Sequence, residues 1–292
     1  MQHNVRMASP DAVVAKKRIL IVDDDDATHA LLNAMLRSAD RDIESAFNGQ
    51  EALSKVLAHS YDLVLTDINM PLLDGLALLI KIRAARPEMM VVVMTAESTP
   101  ERVVASIREQ AHGYVTKPFS RETIANIVDS ALSASIAPDD VEVISARPGW
   151  ISLRLRCKLG VADRLTQFFL ELVADIDPEE REGVSTAFRE LLTNAIEHGG
   201  HSDPRQWVSL TYMRGARSIM YYIRDPGEGF SFENLPHAAV SNRPGTPFEH
   251  SEIRDKLGMR PGGFGILMTR NFADEVLYSQ KGNEVMLIKY LS

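Results

Sequence analysis

Five apolar runs alternating with amphipathic stretches in the first half, and one long helical pattern followed by glycine-punctuated strands in the second, predict an α/β protein of two domains. A third observation is where the polar residues fall: acids, a hydroxyl and an ammonium stand at the ends of the first-half runs. At 292 residues, each half is long enough to bury its own core.

The first run is "ILIV", Ile19 to Val22, and it meets four aspartates, Asp23 to Asp26. A weaker run, Ile43 to Phe47, takes second place; "LVLT" (Leu63 to Thr66), "VVVMT" (Val91 to Thr95) and "GYVT" (Gly113 to Thr116) follow. Between them, segments such as "QEALSKVLAHS" and "ERVVASIREQA" place apolar residues three and four apart, and a fifth helix is expected from Ser120 to Ala134. The alternation predicts a five-stranded doubly wound parallel sheet within residues 18–137. Residues 1–17 are mixed polar and are expected to be a disordered tail.

Such sheets bind ligands beyond the carboxyl ends of their strands. Strand one delivers Asp23 and Asp24 there, strand three Asp67, strand four Thr95, and strand five Lys117 before Pro118. Two carboxylates ~4 Å apart repel by about 4 kcal/mol at an effective dielectric near 20, so the cluster asks for a cation. Asp25 and Asp26 are the exception, expected only to cap the following helix and oppose its dipole. Mg2+ takes hard oxygen ligands and keeps several waters, which suits Asp24, Asp67 and a backbone carbonyl near Asn69, with Asp23 acting through water. With its charge neutralised, Asp67 becomes a candidate nucleophile toward a phosphoryl group, and Lys117 and Thr95 candidates to bind the new phosphate oxygens.

"VDDD", "YDLVLTDINMPLLDG", "VVVMTA" and "GYVTKPF" stand in the order and spacing of the response-regulator receiver domains, which residues 18 to about 135 resemble. The resemblance implies Asp67 as phosphoacceptor, Asp23 and Asp24 as the acid pair, Thr95 and Tyr114 as switch residues, and Lys117 as the phosphate-sensing cation before a cis peptide bond.

Pro138, Pro148 and Gly149 break helical continuation, and no long Gly/Ser spacer intervenes, so the second domain is expected from residue 138, close to the first. "VSTAFRELLTNAIEHGG", Val184 to Gly200, reads as a helix ended by two glycines. Glu190, Asn194 and His198 recur every four residues along it as one polar stripe. Then "SIMYYI" leads into "RDPGEGF", where Asp225 precedes Gly227 and Gly229, and "RPGGFG" sets Gly263 and Gly265 at the start of another helix. Glycines so placed let backbone amides approach phosphate at a positive helix end.

These three blocks resemble the GHKL-type ATPase fold shared by sensor histidine kinases, type II topoisomerases and anti-sigma-factor serine kinases. The resemblance implies a two-layer α/β sandwich over residues 138–292, ATP and Mg2+ as ligands, Asn194 on the ion, Glu190 as general base, and Asp225 on the adenine amino group. An ionised Asp225 only accepts hydrogen bonds, which favours adenine over guanine. The stretch 231–262 is expected to be a lid or insert whose cations, Arg243, Arg254, Lys256 and Arg260, are mostly surface charge. The ending resembles the anti-sigma-factor kinases most, with one departure: Gly282-Asn283 stands where the family commonly has Gly-Thr, which puts one auxiliary nucleotide contact in doubt.

The net charge of -8 is shared evenly between the halves, so neither has the basic excess of a nucleic-acid binder, and no nucleic-acid partner is expected. No apolar run approaches a membrane span, and Cys157 is the single cysteine, so a reducing cytoplasm is expected. The resemblances together imply a receiver phosphorylated by an upstream histidine kinase. That receiver would gate a serine/threonine kinase that modifies an anti-sigma-factor antagonist; homodimerisation is expected only by analogy. A non-catalytic module that sequesters a sigma factor or antagonist stands beside that reading. A DNA-binding regulator, the output most receivers carry, is disfavoured by the acidic second half.

Overall fold

The computed structural model describes residues 16–133, 138–229, 256 and 265–291. Its first sheet is parallel, with strands β1 (Lys17–Val22), β2 (Arg41–Ala46), β3 (Leu63–Asp67), β4 (Met90–Thr95) and β5 (Gly113–Thr116) in the order β2-β1-β3-β4-β5. Helices α1 (Asp26–Leu36), α2 (Gly49–Ala58), α3 (Gly75–Ala85), α4 (Pro100–Arg108) and α5 (Arg121–Leu132) alternate with them. Strand residues point alternately to opposite faces, and β1 shows the result. Ile19 and Ile21 pack with Leu32 and Leu36 of α1 and Val128 of α5, whereas Leu20 and Val22 pack with α2, α3 and α4.

Side-chain caps fix where these helices start. Asp25 accepts from the Ala27 and Thr28 amides as the N-cap of α1, with Asp26 in the first turn. Asn48, Asp74, Thr99 and Ser120 cap the other four in the same way. Three boundaries differ from expectation, β2 running over Arg41–Ala46 rather than Ile43 to Phe47. The first strand begins at Lys17, inside the stretch read as tail, because Lys17 and the Arg18 amide both bond to the Asp62 carboxylate. Helix α5 ends at Leu132, where Ser133 caps it. Residues 1–15 of the expected tail lie outside the described residues.

The second sheet is antiparallel and six-stranded, in the order β10-β11-β9-β8-β7-β6. Its strands are β6 (Val141–Arg147), β7 (Trp150–Arg156), β8 (Trp207–Arg214), β9 (Ser218–Arg224), β10 (Glu275–Tyr278) and β11 (Glu284–Tyr290). Alternate residues, among them Val208, Leu210 and Tyr212 of β8, and Ile219, Tyr221 and Ile223 of β9, are buried on one face. Against that face lie α6 (Leu159–Leu172), α7 (Pro178–Asn194) and α8 (Gly265–Phe272). Phe169 of α6 and Phe188 of α7 meet Tyr212 and Tyr221 with ring centroids 4.6 to 5.7 Å apart, an aromatic cluster at the centre of this core. This is the two-layer α/β sandwich the glycine blocks imply.

Helix α7 starts six residues before the expected Val184, because Asp177 caps it and Pro178 occupies its first turn. At Asn194 the α-helical bonding gives way to a π-helical turn over Ala195–Gly199. The four-residue stripe therefore holds for Glu190 and Asn194 but not for His198, which turns out to solvent. The expected lid lies outside the described residues apart from Lys256.

The two units share one hydrophobic cluster. Helix α6 is buried nearly all round because it is covered by its own sheet on one side and by α4 and β5 of the first unit on the other. Tyr114 of β5 stands 6.3 Å from Phe168, and Thr116 Oγ1 donates to Glu171 at 2.7 Å. Arg164 is 6% exposed and gives one Nη2 bond to the Ala111 carbonyl at 2.9 Å, while its Nε and Nη1 find no acceptor among the described residues. Burial, with Arg83 nearby, pulls its pKa down to about 10, and burial beside both arginines pushes His112 down to about 3, leaving that ring neutral. A buried donor without a partner costs about 1–3 kcal/mol. Arg164→Met, which fills similar volume without those donors, is accordingly expected to keep or raise the melting temperature, whereas a fall of several degrees would show the guanidinium stabilising the seam.

Candidate functional site

Two clusters of expected site residues form, one at the carboxyl edge of the parallel sheet and one at the end of α7. At the first, Lys117 Nζ lies 2.6 Å from both Asp23 Oδ2 and Asp67 Oδ1. Asp23 Oδ1 also accepts from the Asp25 amide at 3.0 Å, and Asp67 Oδ2 from the Asn69 amide at 2.6 Å. Burial raises Asp67 above the ordinary carboxylate pKa, more than Lys117 and the Asn69 amide draw it down. For Lys117 burial works downward, but its two acid partners outweigh it and hold the ammonium above its ordinary value. The Lys117-Pro118 peptide bond is cis.

The approach of α3 to Asp67 is set by Gly75, whose amide donates to Ile68 O at 3.0 Å. A Cβ there would fall 2.0 Å from the Asp67 carbonyl oxygen, so any side chain would push helix and strand apart. Asp24 is exposed at the mouth and lines a cleft with Asn69, Asp74 and Arg102. Among the described residues, no three Asp, Glu, His or Cys side chains gather as a ready-made cage for an ion. Mg2+ is ordinarily held by one or two carboxylates and several waters, and Asp24, Asp67 and the Asn69 carbonyl fit that donor set.

Thr95 is fully buried, with its hydroxyl engaged by the β4–α4 loop: it donates to Glu97 O at 3.0 Å and receives the Glu97 amide at 3.2 Å. Tyr114 is buried, and burial raises its pKa to about 12. Arg102 joins these residues from a helix, away from any strand end. Its guanidinium donates to Asn69 Oδ1 at 3.0 Å and to Thr95 Oγ1 at 3.3 Å, but on α4 it reads as ordinary surface charge.

At the second cluster, Asn194 Nδ2 is 3.4 Å from Glu190 Oε1 on the half-buried side of α7. The π-helical turn that follows carries Gly199 against Asp225 so closely that a Cβ would lie 2.2 Å from the Asp225 Cγ. Asp225 Oδ1 accepts from the Gly227 amide at 2.8 Å, and burial raises its pKa. Gly229 has φ +84° and would place a Cβ 1.8 Å from Lys281 O, so only glycine closes this turn. The Asn283 carbonyl receives the Asp225 amide at 3.0 Å, so the residue that departs from the family pattern ties Asp225 to β11. Gly265 opens α8, which packs on α7; Gly263 lies outside the described residues.

Comparison with known proteins follows the same division. Residues 19–129 match the model of the response regulator receiver domain, and residues 156–289 that of the histidine kinase-like ATPase domain. The transcriptional regulatory protein ZraR of Salmonella typhimurium is 35% identical over 196 residues, 66% of this chain and 43% of that protein. PrrA of Mycobacterium tuberculosis is 33% identical over 140 residues, 47% of this chain and 60% of that protein. The chain thus spans about two-fifths of the length of its ZraR relatives. Among solved structures, a CheY-like receiver from Methanospirillum hungatei is 31% identical, covering 41% of this chain and 95% of that one at a TM-score of 0.40. The NtrX receiver of Brucella abortus is 32% identical, covering 40% and 99% at 0.38. No helix among the described residues is long and apolar enough to cross a membrane. Residues 19–129 therefore belong to the response regulator receiver domains, and residues 156–289 to the histidine kinase-like ATPase domains, joined in one chain.

Proposed function

We propose that this chain is a phosphorylation-gated, ATP-dependent protein serine/threonine kinase of a bacterial partner-switching pathway, acting on an anti-sigma-factor antagonist. The observation that supports it best is the placement of β5. Its end presents Lys117 to Asp23 and Asp67, and its neighbouring Thr116 bonds Glu171 on α6 of the ATPase half.

In this reading an upstream histidine kinase supplies the phosphoryl group. Asp67 attacks phosphorus, the bond to the donor nitrogen breaks, and Lys117 shifts from carboxylate toward phosphoryl oxygen. Asp24, Asp67 and the Asn69 carbonyl would hold Mg2+, with Asp23 acting through water, and the ion would supply charge neutralisation when bound. A displacement of the end of β5 would reach Glu171, because Thr116 and Lys117 are adjacent in the chain. Helix α6 packs in turn on α7, which carries Glu190 and Asn194.

At the second site Asp225 selects adenine and the glycine-bounded turns let main-chain amides approach the phosphates, while Asn194 would help hold the accompanying ion. Glu190 takes the proton of a substrate Ser or Thr hydroxyl as its oxygen bonds the γ-phosphorus and ADP leaves. Incubation with γ-labelled ATP and candidate antagonists tests this. Label should reach a Ser or Thr of the antagonist, and Glu190→Ala should cut transfer by roughly a hundredfold or more while sparing nucleotide binding. Retained ATP binding without transfer in the wild type would replace this reading by sequestration.

A further inference from the structure

Arg102 is unaccounted for by either the acid pocket or the seam. It stands in the first turn of α4, and its guanidinium bridges the end of β3, which carries Asp67, and the end of the neighbouring β4. Nη2 donates to Asn69 Oδ1 at 3.0 Å; Nη1 donates to Glu97 O at 2.9 Å and to Thr95 Oγ1 at 3.3 Å. Asn69 joins it to the acceptor carboxylate, giving its backbone N–H to Asp67 Oδ2 at 2.6 Å and its amide oxygen to Arg102. Three of the four partners are neutral oxygens. The fourth, the Glu97 carboxylate, is 3.5 Å away with its side chain 71% exposed, a pairing that solvent weakens.

We propose that Arg102 is a second phosphoryl-binding cation of the receiver site, facing Lys117 across Asp67, and that it leaves Asn69 for phosphoryl oxygen once the acyl phosphate forms. The inference rests on the reading of Asp67 as phosphoacceptor. Converting a carboxylate to an acyl phosphate adds negative charge, and Lys117 is already shared between Asp23 and Asp67. One further cation at the open side of the pocket meets that need. A guanidinium is the suitable one, because its planar fork engages two phosphate oxygens together. Its present bonds to Asn69, Thr95 and the Glu97 carbonyl carry charge on one side only, whereas a bond to phosphoryl oxygen sets opposite charges in direct contact, so the exchange runs downhill. Arg102 lines the same cleft as Asp24 and Asn69, and a single residue, Asn69, separates its guanidinium from the Asp67 carboxylate.

The test is calorimetric titration of the full chain with beryllofluoride in excess Mg2+, beside titration with Mg2+ alone and a thermal melt. Arg102→Gln is expected to weaken beryllofluoride by roughly tenfold or more, the usual worth of one charge-assisted bond. Its Mg2+ affinity should hold or improve, because a nearby positive charge has been removed. Arg102→Lys keeps the charge but not the fork and should fall between. Beryllofluoride binding unchanged in Arg102→Gln would overturn the assignment. So would equal weakening of Mg2+ and beryllofluoride with a lowered melting temperature, which marks a residue that only anchors α4; if Arg102→Gln does not fold, wild-type affinity in Arg102→Lys overturns the two-point fork. A wild type that binds Mg2+ but no beryllofluoride removes the phosphoacceptor reading itself, a different failure from a variant that matches a binding wild type.

Discussion

Asp67→Asn is expected to abolish acyl-phosphate formation from a small phosphodonor such as phosphoramidate, read as loss of the phosphoryl mass adduct on the intact chain. Neither neighbouring acid of the pocket is expected to substitute. Asp23 is enclosed and bonded at both oxygens, to Lys117 and the Asp25 amide, while Asp24 sits exposed at the mouth. Persistence of an equal adduct would move the nucleophile elsewhere. The same variant reports on the cost of the pocket. Because burial raises the folded pKa of Asp67, the folded state holds that proton more tightly than the unfolded chain, where the carboxyl titrates near 4. The contribution of this group is thus favourable in acid and is lost as pH rises through the folded pKa. Without divalent ions, Asp67→Asn should melt higher than wild type at neutral pH, and the gap should close as pH falls toward 4. A gap that widens in acid would refute the linkage.

Asp225→Asn is expected to lower ATP affinity on the order of a hundredfold, the cost of turning a half-buried acceptor into a mismatched group. The geometry says why. One side-chain oxygen is already committed to the Gly227 amide at 2.8 Å, and an amide oxygen can keep that bond. The remaining position then becomes an NH2 group, which opposes the adenine amino donor but complements a guanine carbonyl. Binding of labelled nucleotides would check this, with GTP expected to lose far less than ATP. Equal losses for both, or none, would remove Asp225 from base recognition.

The parallel unit was legible because its inner strands β1, β3 and β4 are buried on both faces and read as unbroken apolar runs, so the residues ending them marked the acid edge. Apolar runs locate only the residues at strand ends. Arg102 reaches the same pocket from a helix, where a cation usually means solvent. Arg164 was hidden for the opposite reason: on α6 it falls among apolar residues as a snorkelling side chain would, and its burial arises only when a second unit covers that face. The start of α7 was written in Asp177 and Pro178 but masked by the polar run between them and Val184. Its π-helical turn leaves no trace in a four-residue spacing that continues unbroken to His198. Asn283 differed from the family at a contact expected for nucleotide, whereas its main chain serves the Asp225 turn.

The core that continues from Tyr114 through Phe168 into the antiparallel sheet bears on how such a protein can be re-engineered. Grafting a receiver onto a new effector at a hinge requires that the two share no core. Here a graft cut near residue 138 would strip cover from α6 and leave Arg164 and its apolar neighbours facing water. A chimera that retains native solubility has to carry matched surfaces on α4, β5 and α6 from a single parent.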